Sequence, residues 1–62
     1  MDRLPQTPAI LVSAVNMLLR DGEFDSLEAL CYNYDTTADE LQTYLLRNGY
    51  RFDEDQQQFK AW

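Results

Sequence analysis

Residues 8–20, PAILVSAVNMLLR, hold more apolar side chains than one ordinary helix face can carry. At helical spacing these side chains cover an arc of roughly 220°, whereas a surface helix buries a stripe of about 100°. We therefore predict a helix that must be covered on two sides, by the rest of the chain or by another chain. We expect Thr7 to supply the N-cap oxygen and Gly22 to end the helix in a left-handed conformation. The arc consists of Ile10, Leu11, Val12, Ala14, Val15, Met17, Leu18 and Leu19.

The chain has 62 residues, which predicts a single domain over 1–62. A domain this short buries only about 60% of the surface that its unfolded form exposes, so its stability should be marginal. One cysteine cannot form an internal disulfide, and a chain without histidine lacks a usual zinc ligand. We expect no metal and no cofactor, which leaves oligomerisation as the remaining way to bury more surface.

The net charge of −6 comes from 11 acidic and 5 basic residues. Nucleic acids and anionic membrane surfaces attract clustered Lys and Arg, so this charge disfavours both as partners. The N-terminus has no basic region followed by an apolar run, and the longest apolar run is far below the roughly 20 residues that span a bilayer. We therefore expect a cytoplasmic protein that does not associate with a membrane.

Two capping patterns predict two more helices before residue 49. Residues 25–28, DSLE, open a helix that ends near Tyr34, and residues 37–40, TADE, open a helix that Asn48-Gly49 terminates. The apolar residues of the two helices and the turn between them fall at the spacing of a helix-turn-helix. Asp35 stands where that turn commonly has glycine, and aspartate tolerates the left-handed conformation.

The apolar period changes to two after Gly49, which predicts a hairpin. Tyr50 and Phe52 alternate with Arg51, and Phe59 and Ala61 alternate with Lys60, around a turn at 53–56 that lacks glycine. If Phe52 faces Phe59, Arg51 faces Lys60, a like-charge pair that needs an acid nearby. The predicted fold is mainly α: an extended arm over 1–7, three helices within 8–49 of which the second and third are helix-turn-helix-like, and a short β-hairpin or tail over 50–62.

No pattern in the chain predicts catalysis. Cys31 has no histidine to activate it and lies on a packed helix face, so we interpret it as a small core residue. The acidic clusters at 21–25 and 53–55 do not complete a calcium-binding loop and are interpreted as solvated turn and helix-cap residues. There is no nucleophile–base pair and no phosphate-binding glycine loop.

The surplus arc of the first helix instead favours a non-enzymatic protein-interaction module that self-associates through that helix. Trp62 either folds back over this helix or anchors an interface. A polar stripe on the same helix either forms hydrogen bonds to a partner or simply faces solvent. The candidate contact residues are Met17, Leu18, Phe24 and Trp62, and the polar stripe consists of Ser13, Asn16 and Arg20.

The alternative function is that of a small DNA-binding transcription regulator that uses the third helix. Asp39 and Glu40 open this helix where contacts to bases and phosphates usually lie, and carboxylates there oppose binding. The candidate nucleic-acid residues are Gln42, Thr43, Arg47, Arg51 and Lys60.

One set of residues spans nearly the whole chain: Leu4-Pro5, Pro8, Ser13, Val15-Asn16-Met17, Arg20-Asp21, Leu27, Leu30-Cys31 and Gly49-Tyr50. This set resembles a family of small bacterial proteins known as the domain of unknown function number 4250. The resemblance spans nearly the whole chain and implies a compact, mostly helical cytosolic domain of bacteria with no assigned activity. It transfers no functional residue.

Overall fold

The computed structural model describes residues 3–62, so Met1 and Asp2 of the predicted arm lie outside the described residues. Three helices are followed by two antiparallel strands, which confirms the predicted fold class. The elements are α1 (Pro8–Arg20), α2 (Leu27–Asn33), α3 (Ala38–Arg47), β1 (Tyr50–Asp53) and β2 (Gln58–Ala61).

All three helices and the hairpin contribute to one hydrophobic core. Five of the eight apolar positions in the arc of α1 are buried by the chain itself, while Leu19 is half-buried. Ile10 and Met17 remain exposed, at 57% and 43% of their surface. The need for cover on two sides is therefore met largely within the chain. The core consists of Leu11, Val12, Val15, Leu18, Leu27, Leu30, Cys31, Leu41, Leu45 and Phe59.

The first two helices end in the same backbone motif, with one left-handed residue each. At the end of α1 this residue is Gly22 (φ 77°), and the next N–H donates to the carbonyl of Leu18 at 3.2 Å. At the end of α2 it is Asp35 (φ 63°), and the next N–H donates to the carbonyl of Cys31 at 2.9 Å. These hydrogen bonds satisfy carbonyls that a helix end leaves without partners. Both predicted stops are confirmed.

The predicted side-chain cap of α1 is wrong. Thr7 has the extended backbone of an N-cap residue, but its hydroxyl accepts no hydrogen bond from the first turn. Pro8 follows it and has no N–H, so the first turn of α1 has one donor fewer to satisfy. The Thr7 carbonyl still accepts from the N–H of Leu11 at 2.7 Å.

The caps of the other two helices follow the sequence patterns. The Ser26 hydroxyl accepts from the N–H of Ala29 at 3.1 Å, and the Thr37 hydroxyl accepts from the N–H of Glu40 at 3.2 Å. The Glu40 carboxylate accepts from the Thr36 hydroxyl at 3.2 Å. Side-chain oxygens therefore fix the start of both helices.

The hairpin has the predicted register. Phe52 lies opposite Phe59 with ring centroids 4.9 Å apart, and Arg51 lies opposite Lys60. The acid that this like-charge pair requires is Asp53, whose carboxylate lies 3.2 Å from the Lys60 ammonium.

The hairpin loop has no glycine, and two of its residues explain how it closes. Gln57 adopts the left-handed conformation (φ 54°) that glycine usually supplies. Asp53 accepts hydrogen bonds from the N–H groups of Asp55 and Gln56 at 3.0 and 3.2 Å. The hydrogen bond from Lys60, followed by those from the backbone of the loop, holds the pKa of Asp53 below its ordinary value.

We predict that Asp35→Gly stabilises the protein and that Gly22→Asp destabilises it, each by about 0.5–1 kcal/mol. Both residues hold the same left-handed position, and a Cβ added at Gly22 meets nothing within 4 Å, so backbone conformation alone should decide the outcome. Urea denaturation of the two variants measures the two effects. Changes of the same sign in both would contradict this explanation.

Candidate functional site

Four residues form an exposed strip along one side of α1, which we call the α1 strip. Ile10, Ser13, Met17 and Arg20 lie at helical spacing and are all exposed. A shallow open depression runs beside the strip and is lined on its flanks by residues that include Pro5 and Gln58. The α1 strip is therefore an apolar surface with one hydroxyl and one cation at its polar positions.

Three of the predicted contact residues lie outside this surface. Leu18 is buried in the core. Phe24 is half-buried, with its ring edge-on to Tyr34 at 6.1 Å between centroids. Trp62 is 70% exposed and donates its backbone N–H to the carbonyl of Gly49 at 3.0 Å. With this exposure the indole gives α1 little cover, and the depression beside the α1 strip is not lined by Phe24 or Trp62.

Asn16, predicted as part of the polar stripe, bonds to the chain itself. Its amide oxygen accepts from the N–H of Phe59 at 2.7 Å, and its amide nitrogen donates to the carbonyl of Phe59 at 3.0 Å. The Gln58 side chain adds a third contact by donating to the carbonyl of Asn16 at 3.1 Å. We call the two bonds between Asn16 and Phe59 the Asn16 clamp.

The Asn16 clamp works because a carboxamide carries one donor and one acceptor side by side, as a peptide group does. The amide therefore takes the place that a further strand would occupy at the outer edge of β2. The sequence does hold a signal for it. Asn16 is a poor helix former in the middle of an apolar helix, where its amide needs a partner.

We predict that Asn16→Ala lowers the free energy of unfolding by about 2 kcal/mol, because both backbone groups of Phe59 lose their partner. Asn16→Asp keeps the acceptor but sets a carboxylate oxygen against the Phe59 carbonyl, so it should be at least as harmful at pH 7. Ser13→Ala, on the exposed side of the same helix, is the matched control. Urea denaturation gives the values, and equal stability of the Ala variant at position 16 and the control would disprove the clamp.

Cys31 lies in the core and is 1% exposed. Burial, with a smaller contribution from the negative charge of Glu28, raises the pKa of the thiol from 9.0 to about 11. A nucleophilic or redox-active cysteine needs a thiolate near neutral pH, and this environment disfavours the thiolate. The geometry agrees with the interpretation of Cys31 as a small core residue.

We predict that the protein loses stability between about pH 9 and pH 11 through Cys31. The unfolded thiol releases its proton near 9.0 whereas the folded thiol holds it until about 11, so rising pH favours the unfolded state by about 1.4 kcal/mol per unit in this interval. The Cys31→Ala variant lacks this titration and is the control. Denaturation at several pH values should show that the difference in the free energy of unfolding between the wild type and Cys31→Ala becomes smaller as the pH rises. A difference that does not change with pH would contradict the prediction.

The predicted nucleic-acid residues do not line one common depression. Thr43 and Arg47 border a shallow depression together with Asp39 and Glu40, and Gln42 is exposed on the same helix. Arg51 and Lys60 border a different depression on the hairpin, together with three acidic residues of the loop region. The Lys60 charge is already paired with Asp53 at 3.2 Å. Carboxylates therefore accompany the cations in both places.

The described part of the N-terminal arm packs against the body of the domain. Leu4 contacts the core, and the Tyr44 hydroxyl donates to the carbonyl of Gln6 at 2.7 Å. An open groove of about 480 Å³ lies where this arm meets the end of α2 and the first turns of α3. The groove is bordered by the arm itself.

Within residues 3–62, no three side chains of His, Cys, Asp or Glu are grouped so that they could hold a metal ion. In the same range, none of the helices combines the length and the apolar character needed to cross a membrane.

A family model described as domain of unknown function (DUF4250) matches residues 5–59. Because the match covers most of the chain, the protein belongs to this family, as the resemblance in the sequence indicated. Comparison with curated proteins and with solved structures gives no match.

Proposed function

We propose that this member of the DUF4250 family is a non-enzymatic protein-interaction module whose contact surface is the α1 strip. The observation that carries the proposal is the exposure of Ile10 and Met17, at 57% and 43%, on a helix whose other large apolar side chains are buried or half-buried. Ser13 lies between them and Arg20 lies one turn further on. This combination suits a partner that offers an apolar centre and a hydrogen-bonding rim.

The size of the strip makes the contact weak and transient. Full burial of an isoleucine or methionine side chain contributes about 1.5–3 kcal/mol, so covering the exposed parts of Ile10 and Met17 adds about 1 kcal/mol each. A millimolar complex already requires about 4 kcal/mol of net binding energy. The remainder must come from the partner's own surface and from contacts to Ser13 and Arg20.

Self-association is the form of this proposal that a single purified protein can test. Two copies each carrying a charge of −6 repel one another at long range. Salt screens that repulsion and leaves apolar contact intact, so association through the α1 strip strengthens as salt rises. Binding to DNA would show the opposite dependence.

The residues on the exposed side of α3 do not favour DNA binding. Asp39 and Glu40 border the same depression as Arg47, and they place carboxylates where phosphates would approach. The positive charge of Lys60 is balanced by the carboxylate of Asp53, which weakens its attraction for a phosphate.

We expect Met17→Lys to weaken association through the α1 strip at least about tenfold, because a charged ammonium replaces the centre of the apolar strip. Tyr32→Lys is the matched control, since Tyr32 on α2 is 88% exposed and the substitution adds the same charge. Sedimentation velocity at low and high salt measures both variants. Added positive charge lowers the net repulsion between copies, so a loss of association in the Met17 variant alone cannot come from net charge.

A strictly monomeric wild-type protein at all concentrations and salts would overturn self-association. The broader proposal would then depend on a different partner protein. Capture of one protein from a host lysate by the wild type and the Tyr32→Lys variant, but not by the Met17→Lys variant, would support it. Equal capture by all three would reject the α1 strip as the contact surface.

A further inference from the structure

The Asn16 clamp also determines which backbone groups of the hairpin face outward. The N–H and the carbonyl of Phe59 both point to Asn16, so they point away from β1. Phe52 and Phe59 therefore form a pair without hydrogen bonds between their backbones. The hydrogen bond from the Trp62 N–H to the Gly49 carbonyl fits this alternation.

It follows that the N–H and the carbonyl of Phe52 point away from β2, at the outer edge of β1. Along residues 3–62, no side chain or backbone group forms a hydrogen bond to either of them. The two edges of the hairpin thus differ. At the edge of β2 the outward groups of Phe59 are bound by Asn16, whereas at the edge of β1 the outward groups of Phe52 are free. An edge of this kind is a template for one more strand.

We propose that β1 pairs in antiparallel fashion with β1 of a second copy of this chain, which creates a four-stranded sheet across a two-fold axis. Phe52 of each copy lies opposite Phe52 of the other, so that each N–H donates to the opposite carbonyl. The proposal goes beyond the α1 strip, because α1 contacts the hairpin at β2, whereas β1 contacts α3.

Charge complementarity favours a second copy of β1 as the pairing strand, and it favours one register of the pair. In the register centred on Phe52, Arg51 of each copy lies directly opposite Asp53 of the other, and the pair occurs twice. In the neighbouring register, centred on Arg51, two arginines would face each other. Opposite charges across a strand pair stabilise it and like charges destabilise it. Strand β1 is therefore complementary to itself in one register.

Among the described residues, Arg51 forms no ion pair within its own chain. Among residues 3–62 the ion pairs join Arg20 to Asp21 and Lys60 to Asp53, and Arg51 is exposed without an acidic partner. Within its own hairpin Arg51 lies directly opposite Lys60, and a second copy would place Asp53 directly opposite it instead.

The interface is small, so we expect a dimer that forms at high protein concentration. Sedimentation velocity from about 50 µM to about 1 mM should show association. Hydrogen exchange of the Phe52 amide, followed by NMR, should slow over the same range, because its N–H becomes hydrogen-bonded only in the dimer.

Arg51→Glu is the first test variant. Within one chain it places Glu opposite Lys60 and removes a like-charge pair, so the melting temperature should stay the same or rise. Between chains it sets Glu against Asp53 twice, so the dissociation constant should rise at least about tenfold. Arg51→Lys keeps the charge and is the matched control, with a dissociation constant near that of the wild type.

A synthetic chain with an N-methyl group on Phe52 is the second test. It removes the outward N–H and leaves the hydrogen bonds within the hairpin intact, so the dimer should be lost while the monomer stays folded. A dimer that survives N-methylation, or one that Arg51→Glu does not weaken, would overturn the proposal. So would a wild-type protein that stays monomeric up to about 1 mM.

The Met17→Lys variant separates this proposal from the function assigned to the α1 strip. Dimerisation through β1 should persist in that variant. A dimer that is lost in Met17→Lys and unchanged in Arg51→Glu would reject pairing through β1 while supporting the α1 strip.

Discussion

The two hydrogen bonds between the amide of Asn16 and the backbone of Phe59 join parts of the chain that lie 43 positions apart. They fix β2 against α1, and they determine which side of Phe59 enters the core. Because the pairing of an antiparallel hairpin alternates, they also decide which backbone groups of β1 stay at the outer edge. The position of the hairpin and the character of both its edges follow from this one contact.

The other stabilising contacts join residues that are close in sequence, so forming them costs little chain entropy. Side-chain oxygens of Ser26 and Thr37 cap the start of two helices, and a left-handed residue follows the end of all three. Asp53 closes the hairpin loop and also balances Lys60. In a domain of this size the core alone leaves a narrow margin of stability, so contacts of about 1 kcal/mol each matter. The surfaces left for partners are correspondingly small.

Periodicity and capping rules predicted the elements well. The range 8–20 for the first helix, the stops at Gly22 and Asp35, and the pairing of Phe52 with Phe59 are confirmed by the structure. Such rules depend on neighbours in sequence. The predicted cap from Thr7 is wrong because the start of a helix can be satisfied in more than one way. The loop has no glycine, so its sequence does not indicate that Gln57 adopts the left-handed conformation.

The site was harder to predict than the fold, because exposure depends on contacts between distant segments. The width of the apolar arc indicates that α1 needs cover, but it does not indicate that Leu18 is buried and Met17 is exposed. Asn16 stood out as a polar residue among apolar ones. A helical wheel places it beside Ser13 and Arg20, and only the folded hairpin shows that its partner is Phe59.

The separation of Asn16 from Phe59 also affects how the chain emerges during translation. Residues 8–20 are synthesised before residues 58–61, so α1 lacks the contacts to β2 until that strand has been made. Incomplete chains of this kind expose the surface that chaperones bind and that promotes aggregation. Strand β2 contacts α1 and follows it in the chain, so this part of the cover of α1 can form only after α1 itself has been made.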